Sequence, residues 1–168
     1  MPLYEIRHTS DLSAKQQDAL AQGITKIHST KFTTPKLFVN VLFTPFADRV
    51  YFAGGLPKRG NHIIANVRVG PSRTKQDWDD LSNEVVALWE EVVGRDGGKE
   101  LHSFFILGGM VGGYECGFPI PSAGEDTKWM ETHWSSFEEK AKSGNQDFIN
   151  LIAEVKERRL LPGKANGH

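Results

Sequence analysis

A proline follows the first methionine of the chain, and this pair is the most reactive feature its opening residues offer. Methionine ahead of a small residue such as proline is ordinarily trimmed, which would expose the ring nitrogen of Pro2 as a secondary amine. Nearby guanidinium groups would favour the neutral amine, lower its pKa and make it a better base near neutrality. Arg68 and Arg73 are the candidates for those neighbours; they fall at the end of a strand-like run and in the loop after it. Guanidinium forks match carboxylates in two-pronged fashion, so this pair could hold one substrate anion. His28 ends a helix-like stretch, where it is either a charge on the helix C-terminus or a ligand. Glu115 stands in the glycine-rich segment Gly112-Gly-Tyr-Glu-Cys-Gly117, where a loop-held carboxylate could act as general base on water or on a substrate.

Each residue also has a plain reading. Pro2 could be a terminal residue with no role, surface arginines are common, and loop glutamates are usually solvated. Cys116 is the only cysteine, which rules out intrachain disulfides and a Cys-rich zinc site, and nothing beside it suggests an activating base. The glycines from Gly108 to Gly113 do not open a helix, so a phosphate or dinucleotide loop is not expected. His8, His62, His102 and His133 show no metal-ligand spacing.

The elements that must position these residues repeat. Leu3 to Arg7 alternates as a strand, and Ser13-Ala-Lys-Gln16 has the form of a capping box ahead of Leu20, Ile24 and Ile27. Leu37 to Thr44 reads as a second, more apolar strand, and Val50 to Gly55 as one arm of a hairpin with a glycine turn. The pattern then restarts: His62 to Val69 is a strand, Thr74 to Asp77 a helix start, Leu81, Val85, Leu88 and Val92 keep helical spacing, and Ser103 to Leu107 is a strand. An offset of about 61 positions superimposes Ser13 on Thr74, Leu20 on Leu81 and Ile24 on Val85. Two right-handed β-α-β units follow, and the economical arrangement is an α+β fold with a four-stranded sheet and both helices on one face. A pseudo-two-fold between the units sets their first strands antiparallel and brings Pro2 beside the segment from Arg68 to Arg73. Beyond residue 107 the chain reads as a glycine-rich loop, a short helix from about Trp129 to Lys142 and a helix from about Gln146 to Arg159. The expected organisation is a core domain over 2–135, a C-terminal helical extension over 136–160 and a disordered tail over 161–168.

The 168 residues carry a formal charge of −1 with acids and bases intermixed, which makes nucleic acid and anionic membrane poor partners. The first residues lack the basic and apolar regions of a signal peptide, and no apolar run has membrane-spanning length. A cytoplasmic protein is expected.

Met-Pro at the start, two β-α-β units, Arg68-Val-Gly followed by Arg73, and Glu115-Cys-Gly followed by a proline-rich loop resemble the tautomerase superfamily, and within it the cis-3-chloroacrylic acid dehalogenase-like branch. The resemblance runs over roughly residues 2 to 135. It implies a homotrimer that uses no metal or organic cofactor and acts on small 2-oxo or α,β-unsaturated carboxylates. By position, Pro2 matches the catalytic proline, His28 the histidine on the substrate carboxylate, Arg68 and Arg73 the arginine pair, and Glu115 the glutamate that activates water in the dehalogenases. Phe104 departs from the pattern: those enzymes place there a tyrosine that assists the same water. The resemblance thus favours a tautomerase, with a hydratase or dehalogenase as the alternative and a non-catalytic binding protein as the rival of another class.

Overall fold

The structure, a computed structural model, describes residues 1–161. Strand β1 (Leu3–His8) leads into helix α1 (Ala14–Phe32), a 3-10 turn (Lys36–Phe38) and β2 (Asn40–Pro45). A small hairpin of β3 (Phe52–Ala53) and β4 (Leu56–Pro57) turns at Gly54 and Gly55, both at positive φ. The second unit is β5 (Asn61–Asn66), helix α2 (Lys75–Val92) and β6 (Leu101–Leu107).

The repeat is carried by matched local chemistry. Ser13 caps α1 and Thr74 caps α2, each in a complete capping box closed by Gln16 and Asp77 respectively. The strands form one sheet in the order β2-β1-β5-β6. Within each unit the strands are parallel, and β1 runs antiparallel to β5 with Leu3 opposite Asn66 and Arg7 opposite His62. The helices share one core with one face of the sheet: Leu20, Ile24, Leu81, Val85 and Trp89 close over Tyr4, Ile6, Ile63 and Ala65. Gly23 lets α1 and α2 meet closely, since a Cβ there would lie 2.5 Å from a methyl of Leu88.

The region after β6 differs from the expected open loop. It contains a second hairpin, β7 (Tyr114–Glu115) and β8 (Phe118–Pro119), whose turn residues Cys116 and Gly117 both have positive φ. Helix α3 (Asp126–Lys142) starts earlier than the periodicity predicts and runs unbroken across the expected domain boundary at residue 135; α4 (Gln146–Glu157) follows, its N-terminus capped by Asn145. These helices build a second core with Phe38, Phe118, Met130, Phe137, Phe148 and Leu151, and Met1 is part of it. Glu154 of α4 accepts the backbone N–H of Lys36 at 3.0 Å and pairs with Arg158, which ties the extension to the turn that feeds β2. Leu161 is buried in the second core, and the rest of the expected tail lies outside the described residues.

Candidate active site

The antiparallel pairing of β1 with β5 carries the chain start to the residues just past β5. Pro2 is buried, and its carbonyl accepts the backbone N–H of Asn40 at 3.1 Å. The α-amine of Met1, one residue further out, is pushed down to about 5, by burial first and by Arg68 next; Glu115 and Asp126 oppose this, and Arg73 adds to it. Four charges therefore act on the N-terminus, three of them, Arg68, Arg73 and Glu115, singled out by the sequence.

The two arginines do different things. Arg68 is 5% exposed and committed to its own protein: Nη1 donates to the carbonyls of Pro121 at 2.6 Å and Ser122 at 3.0 Å, and Nη2 donates to Asp126 Oδ1 at 2.7 Å. It clamps the loop after β8 and the first turn of α3. Arg73 donates from Nη1 to the carbonyl of Arg68 at 2.8 Å, and its guanidinium carbon lies over Phe32, 4.5 Å from the ring centroid. Among the described residues it has no carboxylate partner, and it faces a cavity of about 300 Å³ shared with Ser72, Gly124 and Asp126. The uncommitted positive charge is Arg73's.

His28 is 1% exposed, so it is not a charge on the helix end. Its Nδ1 is hydrogen-bonded to the Tyr4 hydroxyl at 2.8 Å, and its ring sits 4.8 Å from that of Phe32. Burial, then the N-terminus and the arginines, hold its pKa down to about 2. A neutral imidazole results, able to exchange hydrogen bonds but not to supply charge. Phe104 lies over Tyr4 with ring centroids 6.4 Å apart. One row therefore runs Arg73, Phe32, His28, Tyr4, Phe104.

A pH dependence follows. Between the ordinary value near 6.5 and the folded value near 2, the unfolded chain holds a proton on His28 that the folded chain does not. Stability is therefore full above the unfolded value and falls as pH drops, by up to about 1.4 kcal/mol per pH unit. Denaturant titrations at pH 7 and pH 5 should show this loss in the wild type and a smaller one in His28→Gln; equal slopes would show that His28 does not carry it.

Glu115 stands in β7, oriented by Asn40, whose Nδ2 donates to Oε1 at 2.6 Å. The same Nδ2 lies 3.5 Å from the Pro2 carbonyl oxygen. Pro2, Asn40, Glu115 and Ile120 share a cavity of about 380 Å³. Next to Glu115, partial desolvation and then Glu115 itself raise the Cys116 thiol, the wrong direction for a thiolate nucleophile. His62 and His102, with rings 5.3 Å apart, sit at the far end of the sheet, where Arg7 pairs with His62. Among the described residues no three of His, Cys, Asp or Glu are grouped to hold a metal, and no helix is long and apolar enough to cross a membrane.

Three residues of this site are not evident from spacing. Tyr4 has the alternation of a core strand residue, Asp126 looks like an ordinary helix-start acid, and Asn40 gives one faint signal as the polar interruption of LFVNVLFT.

The fold and the site together define a tandem β-α-β protein with a candidate acid–base centre at its N-terminus and cationic and carboxylate groups around it. The chain belongs to the family described as putative oxalocrotonate tautomerase enzyme, whose model matches residues 1–133, and so to the tautomerase superfamily. Among solved structures it is similar to a member of the cis-3-chloroacrylic acid dehalogenase family, at 19% identity and a TM-score of 0.64 over 84% of this chain and 99% of that one. A probable enzyme from the thermophilic fungus Aspergillus fumigatus is similar at 20% identity and a TM-score of 0.59, over 79% of this chain and 94% of that one. A fused 4-OT protein described as a wild-type symmetric trimer is similar at 18% identity and a TM-score of 0.52, over 73% of this chain and 98% of that one. At these identities the likeness is one of fold. No curated protein matches the chain.

Proposed function

We propose that the protein is a cofactor-independent tautomerase of small 2-oxo or α,β-unsaturated carboxylates, with Pro2 as acid and base once Met1 is removed. The observation that carries this reading is the setting of the chain start: burial first and Arg68 next hold the Met1 α-amine down to about 5, and trimming would leave the Pro2 nitrogen as the amine in that setting, where the neutral base is favoured. Neutral Pro2 takes a proton from the carbon next to the substrate carbonyl and returns it to the conjugated carbon. Arg73 holds the carboxylate and stabilises the dienolate, with Arg68 keeping the loop beneath it in place. His28, kept neutral, contributes a hydrogen bond rather than a charge, and Tyr4 fixes its ring.

The second reading, hydration or dehalogenation of 3-haloacrylates, is supported by Glu115, whose carboxylate Asn40 orients in the cavity shared with Pro2. In that cycle protonated Pro2 donates to Cα while Glu115 drives water onto Cβ. Phe104 has no hydroxyl to assist that water, which favours the tautomerase. The test is the pH profile on enol acids and on 3-haloacrylates. Tautomerase activity should rise with pH through the proline pKa, and haloacrylate turnover should be weak. Phe104→Tyr should raise hydration relative to tautomerisation, and Glu115→Gln should suppress hydration more. Efficient dehalogenation by the wild type, falling as Pro2 deprotonates, would establish the hydrolytic reading instead. No turnover of either class by a trimmed chain would favour a binding protein that keeps the fold.

A homotrimer is part of this reading. The sheet face away from the helices exposes Leu3, Leu42, Phe105 and Leu107, and three such faces can close a shared core. Light scattering at micromolar concentration should give a trimer mass; a stable monomer would count against it.

A further inference from the structure

Met1 joins two environments. The residue is 3% exposed and belongs to the second core with Phe118, Met130 and Phe137. Its α-amine is buried in the fields of Arg68, Arg73, Glu115 and Asp126. One residue thus has a polar end set among charged side chains and an apolar end, and its carbonyl carbon is bonded to the Pro2 nitrogen.

The polar end suits an anion better than an ammonium. Of the two carboxylates, Asp126 is already paired with Arg68 and Glu115 accepts from Asn40, whereas Arg73 is unpaired among the described residues. The apolar end is built largely by α3 and α4, much of it from residues past the matched family region, such as Phe137 and Leu151. Ile120 both lines the cavity of about 380 Å³ beside Pro2 and packs against the second core, so it marks the throat between them.

We propose that the space Met1 fills becomes a substrate subsite when Met1 is removed, and that it selects carboxylic acids bearing an unbranched apolar substituent about as long as the methionine side chain. The inference rests on the reading of Pro2 as the exposed base. Apolar cavities walled by packed side chains stay dry and take apolar ligands. Loss of Met1 opens such a slot directly at the reactive nitrogen, and methionine's unbranched, flexible chain gives its shape. A substrate lying along it puts its carboxylate where the Met1 amine feels the charge of Arg73, its reacting carbon at Pro2 and its tail into the second core.

The experiment uses the full chain, with its N-terminus defined by intact mass, and straight-chain carboxylates from acetate to octanoate titrated by calorimetry. Affinity should rise about fourfold per added methylene, the increment of burying one such group, until the tail matches the methionine side chain, and then stop rising. Ile120→Trp should remove the gain for the longer acids. Pro2→Ala should keep the chain-length series while losing turnover. A flat series on trimmed wild type overturns the inference alone, as does an Ile120→Trp protein that keeps the full gain. A Pro2→Ala protein that shows the series and also turns over normally overturns the reading of Pro2 and leaves the subsite standing. Retention of Met1 overturns both.

Discussion

Pro2→Ala is expected to lower turnover of enol acids by roughly 10²–10⁴-fold, the usual contribution of a positioned acid or base. The substitution leaves a primary amine on a freely rotating residue in place of a ring-fixed secondary amine. Binding should change far less than turnover, because the substitution leaves Arg73 untouched. The same amine can be read chemically. A 2-oxo acid forms an iminium with a neutral secondary amine, losing water, and borohydride reduces it to a stable tertiary amine. Peptide mapping should find that label on Pro2. A label on a lysine instead, or turnover in Pro2→Ala within a few-fold of wild type, would remove Pro2 from the mechanism.

The second large effect separates the two arginines. Arg68→Ala should destabilise the fold by about 3–5 kcal/mol, because it strands the buried Asp126 carboxylate and two loop carbonyls at once. Replacing both members of the pair, Arg68→Met with Asp126→Leu, should recover much of that loss, since the uncompensated buried charge is gone. Arg73→Ala should cost much less stability and instead raise the apparent substrate constant ten- to a hundredfold, equivalent to a charged hydrogen bond of about 1.5–3 kcal/mol. Urea unfolding and steady-state kinetics on both variants decide the matter. If Arg68→Ala unfolds like wild type and binds substrate poorly, the arginines share one task as the sequence resemblance implies. If Arg73→Ala leaves kinetics unchanged, its guanidinium is a packing group on Phe32.

The sequence determined the parts of this protein that local interactions encode. Ser13 with Gln16 and Thr74 with Asp77 are contacts within one helical turn, and they announce both helices and the repeat. Alternation in β1 and helical spacing in α1 and α2 follow from geometry of single elements, so the tandem units and their sheet were legible, as was the antiparallel pairing that carries the chain start to the end of β5. The hairpin at Glu115 escaped because its two-residue strands show no alternation and its turn puts Cys116 at positive φ, without the paired glycines that mark the first hairpin. The site's division of labour was decided by tertiary structure alone. Arg68 meets Asp126 across 58 positions, Asn40 meets Glu115 across 75, and Tyr4 meets His28 across 24. No sequence period relates such partners. They meet because two units and a C-terminal extension pack around one chain terminus, and that packing settles which arginine is buried and spent and which is left with charge to offer.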